Sequence, residues 1–173
     1  MRMLPVVVLA VLAAPHAAWA CSATKIRGAE ELVREADAIV RVRAVEYAKA
    51  PRGDDRYGPP GTVRFDVLET LVGAGLPASV QLSGTLTGQD DFNDRKPPYV
   101  FVRPAGRRGT CYAVEYRKGA EFLLFLKKAP AGYTVDWAPL AAVNEQLHSD
   151  RDPWLLWTRK AAAQRMPAVP GKG

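Results

Sequence analysis

Hydrophobic and polar positions change period twice along this chain. In AEELVREA (29–36), Leu32, Val33 and Ala36 share one face while Glu30, Glu31, Arg34 and Glu35 lie elsewhere, the 3.6-residue spacing of a short helix. The period then drops to two. Along ADAIVRVRAVEY (36–47), Val40, Val42 and Ala44 alternate with Arg41, Arg43 and Val45, and the β-branched content predicts a half-buried strand. TVRFDVLETLVG (62–73) repeats this with Val63, Phe65 and Val67 against Thr62, Arg64 and Asp66, and ASVQLS (78–83) with Val80 and Leu82. Four further segments are strand-length, apolar and bounded by Gly or Pro: YVFV (99–102), CYAVEY (111–116), EFLLFLKK (121–128) and YTVDWA (133–138). After these the helical period returns. AAVNEQL (141–147) predicts a short helix, and DPWLLWTRKAAAQR (152–165) a longer one, with Asp152 as N-cap, Pro153 at the first helical position, and Trp154, Trp157 and Ala161 on one face beside Leu155. YAKAPRGDDRYGPPG (47–61) and TGQDDFNDRKPP (87–98) are loops by their Gly, Pro and charge content.

Many short strands on a chain of this length predict a mainly β fold, read here as a five-stranded barrel with a short N-terminal helix and C-terminal helices. The Trp154, Leu155 and Trp157 face is expected to cap the open end of that barrel; the alternative is that it binds a partner.

The first twenty residues stand outside this pattern. A basic start is followed by the apolar run LPVVVLAVLAA, and Ala18 and Ala20 flank Trp19 just before Cys21, the order of a secretory signal peptide cut after Ala20. The run is shorter than the ~20 apolar residues needed to span a bilayer. The organisation expected is therefore a signal peptide (1–20), a single domain (21–166) and a disordered tail (167–173), with a secreted or periplasmic location. Lipid anchoring at Cys21 is the poorer reading, because a lipoprotein signal usually places Leu and a small residue where Ala18 and Trp19 stand.

Charge adds little. The chain carries 24 basic and 18 acidic side chains, a net +6 spread along its length, which favours solubility and weak attraction to anionic surfaces. The cysteines add more. There are two, Cys21 and Cys111, and in an oxidising compartment they are expected to form one disulfide, against the alternatives of two free thiols or half a metal site.

The leading Cys21, the strands ADAIVRVRAVEY and VRFDVLETLVG, the second cysteine at 111 and the strand in KGAEFLLFL resemble, in order and pattern, the netrin-like module of tissue inhibitors of metalloproteinases, over roughly residues 21–140. The resemblance implies an OB-type Greek-key barrel in which a disulfide from Cys21 to Cys111 holds the terminus. It further implies that the amine and carbonyl of Cys21 chelate the zinc of a target protease while the Ser22 side chain enters its specificity pocket. The chemistry is consistent: an α-amine with a pKa of about 7.7 to 8 is partly neutral at physiological pH, and a catalytic zinc keeps an open position for such a ligand. Where the animal inhibitors carry a second cysteine two residues on, this chain has Ala23, and their further disulfides and Cys-rich second domain are missing.

Catalysis finds no support. His148 is the one histidine beyond the leader, in LHSDRD, and the adjacent Ser149 and Asp150 cannot converge on it as a triad, so a solvent-facing loop residue is expected. No intrinsic metal site or cofactor is expected. Asp90, Asp91, Asn93 and Asp94 in GQDDFND lack the glycine and distal Glu of an EF-hand loop and read as a solvated loop. Tyr99, Phe101, Tyr112 and Tyr116 near Arg103, Arg107, Arg108 and Arg117 form the best aromatic and basic cluster, but export argues against nucleic acid, and these aromatics read first as core or cross-strand pairs. The expectation is an exported, non-enzymatic binding module directed at a zinc metalloprotease. The competing expectation is an envelope-associated structural or interaction protein, or a lipoprotein, with the same barrel and no inhibitory terminus.

Overall fold

The computed structural model describes residues 25–51 and 60–165. Its organising strand is β1 (Ala38–Lys49), which pairs along its length with β2 (Gly61–Val72) and, over Ala38–Arg43, with β5 (Glu121–Ala129), both antiparallel. Repeated register shifts in the β1–β2 ladder bend the pair. Beyond β2 lies β3 (Ser79–Thr87), which takes β4 (Glu115–Arg117) as a parallel neighbour. The far edge of β5 is shared between β6 (Gly132–Val135) and β7 (Asn144–Leu147). The order β4-β3-β2-β1-β5-β6, with β6 also meeting β3, makes a nearly closed, barrel-like sheet of seven strands where five were expected.

Alternation decides which residues fill the barrel. Val40, Val42 and Ala44 of β1, Val63 and Phe65 of β2, and Val80 and Leu82 of β3 are all buried. Tyr116 and Phe122 meet Phe65 edge-on at 4.8 and 6.3 Å. β5 is buried continuously from Phe122 to Leu126 because both its faces are covered. Phe122 faces the barrel interior, whereas Phe125 faces the other way onto Trp154 of α3 (Pro153–Arg165) at 5.9 Å. Helix α1 (Ala29–Glu35) packs against α3, and the Arg165 guanidinium donates to the carbonyls of Val33 and Ala36 at 2.8 and 2.7 Å, closing the C-terminal end of α1. Space requires a glycine at 84, where a Cβ would lie 2.4 Å from the Tyr116 ring and 2.6 Å from the Val114 carbonyl.

Three expectations are corrected. AAVNEQL is not a helix: Asn144–Leu147 is β7, so one C-terminal helix follows the barrel. The helical spacing of its apolar positions is overridden because every residue from Ala141 to Leu147 is buried, and the polar ones find partners only as a strand beside β5. YVFV is not a strand: Tyr99 and Val102 turn inward and Val100 and Phe101 stay exposed. Of CYAVEY only Glu115 and Tyr116 enter β4, which continues to Arg117. A four-residue helix, α2 (Pro104–Arg107), was not foreseen. Among the described residues no helix is long and apolar enough to cross a membrane.

Candidate functional site

Cys21 and Ser22, the residues expected to form the binding terminus, lie outside the described residues. Their expected anchor is described. Cys111 is half-buried and is not a free thiol. Its backbone is left-handed (φ 63°), as is that of Leu140 (φ 62°), a conformation that non-glycine residues seldom adopt. The two are coupled: the Leu140 N–H donates to the Cys111 carbonyl at 2.8 Å, and the Leu140 carbonyl accepts the Val102 N–H at 2.8 Å.

The segment 136–140 that carries Leu140 also receives the start of the described chain. Both terminal nitrogens of Arg27 reach the Asp136 carboxylate at 2.9 Å, and Arg27 reaches Glu35 at 2.9 Å. Asp136 is buried, and the bond to it keeps the Arg27 guanidinium firmly charged. Next to Asp136, Trp137 meets Tyr112 edge-on at 5.6 Å. Tyr112, Val114 and Trp137, with Ser83 of β3, line an open cleft of about 320 Å³ beside Cys111. One short segment thus holds the lead-in to α1, Cys111 and one wall of an aromatic cleft.

The aromatic and basic cluster between Tyr99 and Arg117 is divided by the fold. Tyr99 and Tyr116 are core residues, and burial drives their hydroxyl pKa values up, that of Tyr99 to about 12. Arg103 is fully buried at the centre of a polar network. Its Nε donates to the Asn144 carbonyl (3.0 Å), Nη1 to Asp91 (2.7 Å), and Nη2 to the carbonyls of Ala113 and Glu115 (3.2 and 2.7 Å), while its plane lies over the Tyr116 and Phe122 rings at 5.5 Å. Beside it, Glu145 accepts the Arg103 N–H on Oε1 (3.1 Å) and the Asn93 amide on Oε2 (2.8 Å). Burial raises the Glu145 carboxyl to about 7, against the pull of Arg103 and of these two donors. Only Phe101, Tyr112, Arg107, Arg108 and Arg117 remain for surface work.

The acidic loop is not simply solvated. Asp91 is held by Arg103, Asp94 by Arg107 (2.5 Å), and Asp90 by Arg117 (2.7 Å) and Gln146 (2.5 Å); Asn93 donates to the Phe101 carbonyl at 2.7 Å. Asp90 ties the loop to β4 and β7, and Asp91 and Asp94 tie it to the start and end of α2. Among the described residues no group of three or more His, Cys, Asp or Glu side chains is placed to hold a metal ion. His148 is exposed, as expected, with its ring stacked on Phe92 at 3.8 Å.

Sequence reasoning missed Arg27, Asp136, Trp137 and Glu145, and it singled out Arg103 as part of an aromatic and basic cluster without its buried network. Nothing in their local pattern marks them, since each acquires its role from a partner far away in the chain. In comparison with known proteins, no family model matches this chain and no curated protein matches it significantly.

Proposed function

We propose that this protein is an exported, non-enzymatic binding module of the tissue-inhibitor type, built on an OB-type barrel, whose leading residue Cys21 is bonded to Cys111 and offers its amine and carbonyl to the zinc of a metalloprotease. Ser22 would then project into the protease's specificity pocket. One observation supports this above the others: segment 136–140 holds both Arg27 and Cys111. Five residues lie between Cys21 and Arg27, a reach of about 20 Å over six extended steps, which is longer than the five-residue segment 136–140 that contacts both Arg27 and Cys111. A terminus fixed in this way loses little entropy on binding. The sharing of β1 between β2 and β5 and the parallel β3–β4 pair are consistent with the OB-type reading.

A second reading has its own observation. Val100, Phe101 and Leu156 are large apolar side chains left exposed, as on an envelope-associated interaction protein that uses the same barrel with no inhibitory terminus.

The two readings part in an inhibition assay against a panel of zinc metalloproteases, comparing protein that begins at Cys21 with protein carrying one extra alanine ahead of it. The first reading requires inhibition that the added residue abolishes. Inhibition unaffected by the extension, or none from either protein, overturns it.

A further inference from the structure

A groove of about 590 Å³ runs between α1 and α3, far from Cys111 in sequence and separate from its cleft. Its apolar lining is Val33, Trp157 and Ala161. Trp157 is held in place by stacking on the buried Trp154, centroids 5.1 Å apart and planes within 9°. The charged lining is unequal: Arg34, Lys160 and Arg165 face a single carboxylate, Glu30. Arg165 is occupied by the α1 carbonyls and Arg34 makes one loose pair with Glu35 at 3.3 Å between largely exposed side chains, but Lys160 has no ion-pair partner among the described residues. The α1–α3 contact therefore leaves Lys160 without an ion-pair partner among the described residues and Arg34 only loosely paired, beside an indole held by Trp154.

We propose that this groove is a docking site for an acidic peptide segment of a partner protein, which places one aliphatic side chain against Trp157, Val33 and Ala161 and its flanking carboxylates on Arg34 and Lys160. Charge complementarity selects the occupant. A cationic or neutral segment would leave Lys160 without a counter-charge and Arg34 with only its loose Glu35 contact, whereas carboxylates flanking an apolar residue supply both a partner for these cations and a side chain for the apolar lining. The concave shape favours a peptide over a flat lipid surface, and the size falls within the usual range of ligand sites. The site does not depend on the fate of Cys21.

The probe is a fluorescein-labelled peptide of sequence Asp-Glu-Leu-Glu-Asp, followed by polarisation, with Asp-Glu-Ser-Glu-Asp and Lys-Lys-Leu-Lys-Lys as controls. The leucine peptide is expected to bind, the serine peptide more weakly and the lysine peptide not at all, with affinity falling as salt is raised. The double variant Arg34→Glu, Lys160→Glu replaces surface cations and is expected to weaken binding by about tenfold or more with an unchanged melting temperature. Trp157→Ala is expected to abolish the preference for leucine over serine. No binding at millimolar peptide, binding insensitive to the charge reversal, or binding only to phosphatidylglycerol vesicles overturns the proposal, the last result assigning the groove to a lipid surface.

Discussion

Glu145 sits fully buried with an N–H donor on each oxygen, and burial opposes its charge more strongly than those donors favour it. Its carboxyl is raised to about 7 from an ordinary 4.5, so between those values the folded protein keeps a proton that the unfolded chain has released. Stability contributed by this group is complete below about pH 4.5 and is lost as pH rises toward 7. Denaturant titrations of wild type and Glu145→Gln from pH 5 to pH 8 are expected to diverge, with wild type losing on the order of 3 kcal/mol more than the variant across the window. Parallel curves would show that the site tolerates the charge. Arg103 presents the opposite case, a buried cation whose Nε and both Nη nitrogens have partners. Arg103→Ala removes the guanidinium donor from the Asp91 carboxylate, which keeps only the Ala105 N–H, and from the carbonyls of Asn144, Ala113 and Glu115, of which Ala113 keeps the Asn144 amide; the expected cost is about 3 to 5 kcal/mol in equilibrium unfolding. Arg103→Lys is expected to recover little of it, because one ammonium cannot reach acceptors spread around a planar fork.

At the scale of elements, α3 begins where Asp152 stops the chain from turning elsewhere. Its carboxylate accepts the Trp154 N–H at 2.8 Å and the His148 N–H at 2.9 Å, and the first helical bond runs from the Leu156 N–H to the Asp152 carbonyl at 3.0 Å. Asp152→Ala is expected to lower stability by about 2 kcal/mol, the upper end for an N-cap because the cap is buried, and Asp152→Asn by clearly less; thermal unfolding of the pair checks this. This helix start was legible, since Asp, Pro and an apolar stripe in that order are local chemistry. So were α1 by its helical spacing, β1, β2 and β3 by an alternation that matches the faces they bury, and β5 by its apolar run from Phe122 to Leu126. β7 was not, because Asn144, Glu145 and Gln146 look like a polar helix surface until Arg103 and the loop of Asp91 and Asn93 supply their partners. The segment at Tyr99 failed for the same reason: apolar content reads as strand, yet its backbone is held by Asn93 and Leu140 rather than by a ladder.

For the whole molecule, Cys111 and the lead-in at Arg27 converge on segment 136–140, and the sequence showed the cysteines without showing that meeting place. A bond from Cys21 to Cys111 would close a loop of about 90 residues and contribute about 2 to 4 kcal/mol, so reduction is expected to lower stability by that amount while leaving the buried barrel folded. Far-ultraviolet circular dichroism with and without reductant follows both. The most direct test of the account is a disulfide map of protein recovered from the exported fraction. Mass spectrometry should find a chain that begins at Cys21, with an unmodified amine and with its first proteolytic fragment joined through sulfur to the fragment holding Cys111. A chain that still starts at Met1, a diacylglycerol adduct on Cys21, or two thiols that alkylate without reductant would contradict it.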